Sequence, residues 1–389
     1  MALMRTLRVL FREGMYPAIP VAHSQPASDW AQPEFRQLPR KVMTSFDYLA
    51  GRTVLVTGAA GTIGSALCER LQPIVKALRC LDHSENELFY LHQRLQGKGP
   101  VAPFLGDVRD LDRLRFAMSG VDVVFHTAAL KHVGLGEYNP FEVVQTNLQG
   151  LNNVVRGALD ANVERVVFTS SDKAVNPTNV MGASKMMGER LIAAANEIRG
   201  ARRTRFSSVR FGNVIGSRGS VVPIFAGQML RGEPITVTDE GMTRYVMTIP
   251  EAASLVLEAG AKMKGGEVFV TKMRALKVVD LAQAMSQILK GEPAKLSIIG
   301  ARFGEKLFEE LISLDEMSRC FELERLLVVV SPSADSYEGG TRGSFAEARP
   351  VEREWHSGKD HLMGRDEIGR YLRDQKILDP YLTQGGLLS

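Results

Sequence analysis

Eight residues constrain the fold more than any others: Thr57-Gly58-Ala59-Ala60-Gly61-Thr62-Ile63-Gly64, set between an apolar β-branched run and a helical stretch. The run before them, TVLVT (53–57), has the make-up of a strand buried on both faces. After them, Ile63, Leu67 and Leu71 fall on one helical face. Strand, glycine-rich turn and helix together open a dinucleotide-binding βαβ unit. Glycine at 58, 61 and 64 permits a tight turn, close backbone approach to a pyrophosphate, and close helix packing, while the helix N-terminus offers unpaired N–H donors to the anion. Gly58, Ala60, Gly61, Thr62, Ile63 and Gly64 are therefore cofactor-binding candidates. Asp82 ends a second predicted strand, ALRCLD (77–82). A carboxylate there can accept hydrogen bonds from both ribose hydroxyls and would repel a 2′-phosphate, which argues for NAD over NADP.

From Thr53 onward, short β-branched runs alternate with helical stretches. DVVFH (122–126), RVVFTS (165–170) and FSSVRF (206–211) are the clearest further strands, and the rhythm predicts an α/β fold: a doubly wound parallel sheet with helices on both faces. A smaller α/β C-terminal domain is expected to complete it. The expected division is an extension at 1–49, a dinucleotide-binding domain at 50–215 joined by 240–265, and a substrate domain and tail at 216–239 and 266–389. The 389 residues, 44% hydrophobic and 24% charged, exclude whole-chain disorder and leave ample core. A net charge of +4 with no long basic run speaks against nucleic acid. Cys68, Cys80 and Cys320 form no CxxC pair and point to a reducing cytoplasm. His356 and His361 lack a carboxylate ligand set, so no metal site is expected.

The first twenty residues are interrupted by Arg5, Arg8, Arg12 and Glu13, too often for the roughly 18 apolar residues of a membrane span. They carry no signal-peptide pattern either. Leu3, Met4, Leu7, Leu10 and Phe11 recur at helical spacing opposite three arginines. Such an amphipathic helix can lie on a membrane surface or pack on protein, and packing is the favoured reading. Five prolines mark residues 17–49 as linker or irregular wrapping, and SPSADSYEGGTRGSF (331–345) reads as a surface loop.

RVVFTS ends at the carboxyl edge of the sheet, where ligands of open α/β folds sit, and so delivers Ser170, Ser171, Asp172 and Lys173 to the crevice. Met181 and Lys185, four apart, share a helix face. At this point a resemblance emerges. TGxxGxxG is similar to the extended short-chain dehydrogenase/reductase pattern. The segments Asp82-His83-Ser84-Glu85-Asn86, Gly106-Asp107-Val108-Arg109-Asp110, Ala128-Ala129-Leu130-Lys131-His132-Val133, Glu137-Tyr138-Asn139-Pro140 and Ser171–Gly182 narrow it. Together they resemble the UDP-N-acetylglucosamine 4,6-dehydratases, from about residue 50 to about 330 and more weakly to 375.

The resemblance implies that Asp107 and Val108 flank the adenine, that His83 and Ser84 belong with Asp82 to an NAD-type ribose site, and that Ala128 and Ala129 border the nicotinamide. It also implies a reaction. A C4 ketone acidifies the C5 proton, so hydride removal from C4 precedes loss of water across C5 and C6, and the hydride returns to C6. Asp172 is implied as the acid at C6, Lys173 as the C5 base, Ser171 with Lys185 as binders of the C4 hydroxyl, and Lys185 as a holder of the nicotinamide ribose. A lysine base requires a lowered pKa, which an apolar crevice beside Lys185 would favour and Asp172 would oppose. Met181 stands where the superfamily has tyrosine, and a thioether accepts no proton at neutral pH. It is either a site residue or core filler, and the C4 proton then passes to Asp172 or a water relay.

Arg210-Phe211-Gly212-Asn213-Val214, Thr243-Arg244-Tyr245 and Arg302-Phe303-Gly304-Glu305-Lys306 resemble the family's later motifs. They imply Asn213, Arg244, Arg302 and Glu305 on the substrate side, with Lys131 and His132. Arginine suits bidentate phosphate contact and glutamate suits ribose hydroxyls. Gly134 and Gly136 replace the family's proline and methionine, which is expected to loosen a loop beside the sugar. The implied partner is a UDP-sugar, and a homo-oligomer, dimer or higher, is expected. Alternatives on the same framework are a 4-epimerase or a 5,6-dehydratase, and from another class a non-catalytic binding subunit.

Overall fold

In a computed structural model, which describes residues 44–97, 99–331, 345 and 348–385, the glycine turn lies between strand β1 (Thr53–Thr57) and a helix, Thr62–Leu71. Six further strands run parallel to β1 in one sheet: β2 (Ala77–Asp82), β3 (Val101–Leu105), β4 (Val123–His126), β5 (Arg165–Ser171), β6 (Arg205–Phe211) and, after β7 (Asn213–Val214), β8 (Ile235–Val237) and β9 (Thr243–Met247), β10 (Val268–Thr271). Their spatial order is β3-β2-β1-β4-β5-β6-β10. The winding reverses between β1 and β4, which opens a crevice at the carboxyl ends of these strands. Alternation along β1 serves both faces: Val54 and Val56 join the core under helices Thr62–Leu71 and Ile249–Lys262, whereas Leu55 joins the opposite core with Leu114, Val124, Leu151 and Phe168.

The parallel reading is incomplete on one side. Beyond β10 the sheet continues antiparallel through β14 (Leu326–Val329), β13 (Cys320–Glu322) and β15 (Arg349–Pro350). Two smaller sheets stand apart, β7-β9-β11 with β11 at Arg274–Lys277, and β8-β12 with β12 at Leu296–Ile298. A third core collects Val222, Ile235, Val237, Leu276, Ile368 and Leu372. Among the described residues no helix is long and apolar enough to cross a membrane. The leader helix and the loop at 332–344 lie outside the described residues. Residues 44–49, expected to be irregular, form a 3-10 turn that buries Phe46 and Leu49, and Tyr48 Oη donates to the Leu257 carbonyl at 2.9 Å.

β6 is tied to its flanking elements by charge. Arg210, buried at 2% exposure, is paired by the same Nη2 with Glu189 of helix Val180–Ile198 and with Glu316, each at 2.7 Å. Removing one partner of such a buried group costs about 3–5 kcal/mol, because the remaining charge stays desolvated. Burial alone would raise the Glu316 carboxyl, but the hydrogen bonds and charge of Arg210 outweigh it and lower the pKa to about 2, from 4.5. A depressed carboxyl contributes stability that is present above its unfolded pKa and lost as pH falls through the folded one. Urea midpoints should therefore drop between pH 4.5 and 2. Glu316→Gln should start lower at neutral pH and lose less over that interval.

Candidate active site

The glycine turn is shaped by close backbone approach. Gly58 has φ +66°, and a Cβ there would lie 2.6 Å from the Ala128 nitrogen at the end of β4. At Gly64 a Cβ would overlap the Gly58 carbonyl. Gly61 caps helix Thr62–Leu71 with no side-chain bond to its first turn, so the N–H groups there remain available to an anion. Asp82, buried beside the turn, accepts the Ala60 N–H on Oδ2 and the Ser84 N–H on Oδ1, each at 3.0 Å, with His83 Nδ1 at 3.3 Å. Oδ2, with one partner, keeps a second lone pair for a ribose hydroxyl. The cradle thus fits a dinucleotide: room that any side chain would fill, free N–H donors, and an acid at the second strand end.

Around it, Asp107 is held by Arg109, whose side chain donates to Oδ2 at 2.7 Å and keeps the carboxyl below its usual range. Val108 lies buried against Gly150. The Ala128-Ala129-Leu130 segment is pinned by Asn147, which accepts the Leu130 N–H at 2.8 Å and donates to the Leu130 carbonyl and to Ser184 Oγ, each at 2.9 Å. Lys131 Nζ donates to the Arg218 carbonyl at 3.0 Å, and the Arg218 guanidinium bonds the Ala60 carbonyl and Glu87 across the turn. His132 packs on Gly219, where a Cβ would lie 2.7 Å from its Cε1. The segment carrying Gly134 and Gly136 is helical, Val133–Tyr138, rather than loose, and Glu137 accepts the Val180 N–H at 2.7 Å.

At the end of β5 the chain turns through a 3-10 turn, Asp172–Ala174, and brings the expected residues together. Asp172 is fully buried; its Oδ1 accepts from Ser171 Oγ at 2.9 Å and from Lys173 Nζ at 3.0 Å. Lys173 Nζ also reaches Asn213 Oδ1 at 3.4 Å and Glu309 Oε1 at 3.3 Å, and Arg244 Nε lies 3.8 Å from the same Glu309 oxygen. Met181 is buried on helix Val180–Ile198, and a Cβ at the adjoining Gly182 would overlap the Lys173 carbonyl. Arg302 and Glu305 stand outside this cluster. Arg302 is exposed, while the Gly304 carbonyl between them accepts from Thr178 Oγ1 and Asn179 Nδ2 at 2.9 Å, which fixes their loop to the start of the same helix.

The lowered lysine pKa falls on the other lysine. Burial pulls Lys173 down, but the Asp172 and Glu309 carboxylates more than offset it, and the net shift is upward. Lys185, buried with Nζ 2.7 Å from the Thr169 carbonyl and 4.7 Å from the Phe168 ring centroid, is lowered by burial to about 8, with Glu189 opposing. Sequence reasoning missed Glu309, Asn147 and Arg218. The first follows the Arg302–Lys306 motif by three residues, and that proximity was its one available signal. A lysine whose folded pKa lies below its unfolded value makes stability rise with pH between the two. Lys185 should therefore contribute stability that grows from about pH 8 to 10.5, so the stability difference between wild type and Lys185→Met should shift in favour of the wild type across that interval in denaturant titrations.

With the geometry established, comparison with known proteins gives consistent results. The chain matches the model of the polysaccharide biosynthesis protein family over residues 54–331. It is 46% identical over 296 residues to an uncharacterised membrane protein of Methanocaldococcus jannaschii, covering 74% of this chain and 89% of that one. It is 39% identical over 285 residues to an inverting UDP-N-acetylglucosamine 4,6-dehydratase of Campylobacter jejuni, covering 73% and 84%. A UDP-glucose 4-epimerase of Rickettsia canadensis is 37% identical over 278 residues, covering 70% and 81%. Among solved structures, that of Pen from Bacillus thuringiensis superposes with a TM-score of 0.79 at 38% identity, covering 85% of this chain and 99% of that one. A glycine cradle on a doubly wound sheet, an Asp-Lys pair with a fully buried carboxylate at the end of its fifth strand, and a family match over most of the described chain agree: the protein belongs to the polysaccharide biosynthesis protein family of extended short-chain dehydrogenase/reductases.

Proposed function

We propose that this chain is an NAD-dependent UDP-N-acetylglucosamine 4,6-dehydratase. The observation that carries the reading is the Asp172–Lys173 pair at the carboxyl edge of the sheet, its carboxylate fully buried. The similarity to the Campylobacter jejuni dehydratase supports it, as do the cradle and Asp82 for the cofactor. Bound there, NAD supplies reversible hydride acceptance, from C4 of the sugar and back to C6. The chain's residues do the proton work. In the resting pair the ammonium of Lys173 donates to Asp172 Oδ1 at 3.0 Å. Moving that one proton to the carboxylate produces a free amine and a carboxylic acid together, the two forms an elimination needs.

With C4 a ketone, Lys173 Nζ takes the C5 proton, the C5–H electrons form the C5–C6 double bond, and the C6–O electrons leave with oxygen as Asp172 delivers its proton to make water. The pair returns to ammonium and carboxylate. Lys173 then gives its proton to C5 as the hydride reaches C6. The C4 hydroxyl proton, released to water as the hydride leaves, balances the one Asp172 spends on the departing oxygen; Asp172 regains a proton from water after the elimination, with Ser171 Oγ, 2.9 Å from its Oδ1, as the relay, so Met181 need accept nothing. Lys185 orients the nicotinamide ribose. Arg302 and Glu305 from the substrate domain (216–239 and 266–389), with Asn213, Arg244, Lys131 and His132 from the dinucleotide-binding domain, hold the UDP-sugar. A homo-oligomer in a reducing cytoplasm completes the proposal, and the three buried free thiols support that compartment.

The epimerase relative makes the test a choice between products. In deuterated water, purified protein given UDP-N-acetylglucosamine should yield a product lighter by one water with solvent deuterium at C5, read by mass spectrometry. An isomer of unchanged mass, unlabelled at C5, as sole product would assign the chain to epimerisation instead.

A further inference from the structure

Glu309 lies outside every motif that marks the site, yet it is the buried carboxylate that faces Lys173 from across the crevice. It is 1% exposed, with Oε1 3.3 Å from Lys173 Nζ. Its Oε2 is buried without a hydrogen-bond partner among the described residues, and so is Asp172 Oδ2. A charged oxygen removed from water and left unpaired is strongly disfavoured, so its retention calls for a reason. Holding its own segment is not that reason. The backbone does this: the Glu309 N–H donates to Ser357 Oγ at 2.9 Å, the Ser357 N–H donates back to the Glu309 carbonyl at 2.9 Å, and Ser357 Oγ lies 2.8 Å from Thr243 Oγ1.

We propose that Glu309 is a positioning residue of the proton-transfer cluster, clamping the Lys173 ammonium between two carboxylates and setting the pH at which that nitrogen becomes a free amine. The inference deepens the dehydratase reading and rests on Lys173 as the proton carrier. Several charges face the pair. Asp172 approaches from β5, with Ser171 beside it and the Tyr245–Asp360 hydrogen bond behind it; Arg244 comes from β9, Lys306 from Glu309's own segment, and the neutral Asn213 amide from β7. Two anions thus press directly on one cation. Burial raises the carboxyl of Glu309 itself, while Lys173 opposes that rise. Replacing Glu309 by a neutral group removes one anion, so Lys173 must release its proton at lower pH.

The side chain of Lys173 is 20% exposed and within reach of a small acylating reagent. The test is the rate of Lys173 acetylation by acetic anhydride against pH in the full-length protein without substrate, read on the tryptic peptide by mass spectrometry. The wild-type midpoint should lie above the ordinary lysine value of about 10.4. Glu309→Gln should lower it by about one pH unit or more. Glu309→Asp, which keeps the charge, should restore most of the shift. A purely structural glutamate would leave the midpoint in place, and an unmoved midpoint in Glu309→Gln overturns the proposal. A wild-type midpoint at or below the ordinary value also overturns it, which keeps the test decisive if the Gln variant does not fold. A shifted midpoint in a protein that removes no water from UDP-N-acetylglucosamine upholds the clamp and overturns only the dehydratase reading.

Discussion

Full burial of Asp172 at the end of β5 dictates much of what surrounds it. A carboxylate in that position must be partnered, and the turn supplies Ser171 and Lys173 within one residue on either side. The ammonium so recruited must in turn be satisfied, and its remaining donors reach Asn213 on β7 and Glu309 near the start of the tail's contacts. Arg244 from β9 and Ser357 from the tail then hold Glu309. One buried charge thus draws together segments distant in sequence. The tight seat of helix Val180–Ile198 on this turn, where Gly182 leaves no room for a methyl group, fixes the distance between Lys173 and Lys185.

The two lysines divide the electrostatics. Lys185 has a ring face and a carbonyl for neighbours, and burial dominates. Lys173 has two carboxylates, and they dominate. At neutral pH the first is within reach of its own titration and the second is a firm cation whose proton is best moved to Asp172 rather than to solvent. That arrangement suits a reaction in which the same pair must act as base and acid within one turnover and end as it began.

Much of the scaffold was legible in the sequence. β1 and β4 are close to continuous apolar runs because both of their faces are covered, and the glycine spacing can serve few purposes besides close backbone approach. The antiparallel wing was not legible. The run Leu326–Val329 is as apolar as a parallel strand, and apolarity carries no direction. β7 is two residues long, too short for any periodicity, although it carries Asn213. The place of Asp172, Lys173 and Lys185 at the crevice was legible from the chain, but the sense of the pKa shift on each lysine was not. For Lys173 that sense depends on Glu309, an acidic residue in a loop that looks like any solvated charge until the fold buries it. The helix that carries Gly134 and Gly136 is likewise tied by a tertiary bond, from the Val180 N–H at the start of helix Val180–Ile198 to Glu137.

The central claim is that Lys173 and Asp172 perform the elimination after C4 has been oxidised. Lys173→Met tests it most directly, in a single turnover of the NAD-loaded protein with UDP-N-acetylglucosamine. Cofactor absorbance would be followed together with product mass. The account predicts that reduced cofactor accumulates while water loss slows by about a hundredfold to ten-thousandfold, because hydride removal precedes the step that needs the amine. Water loss at the wild-type rate in this variant would contradict it.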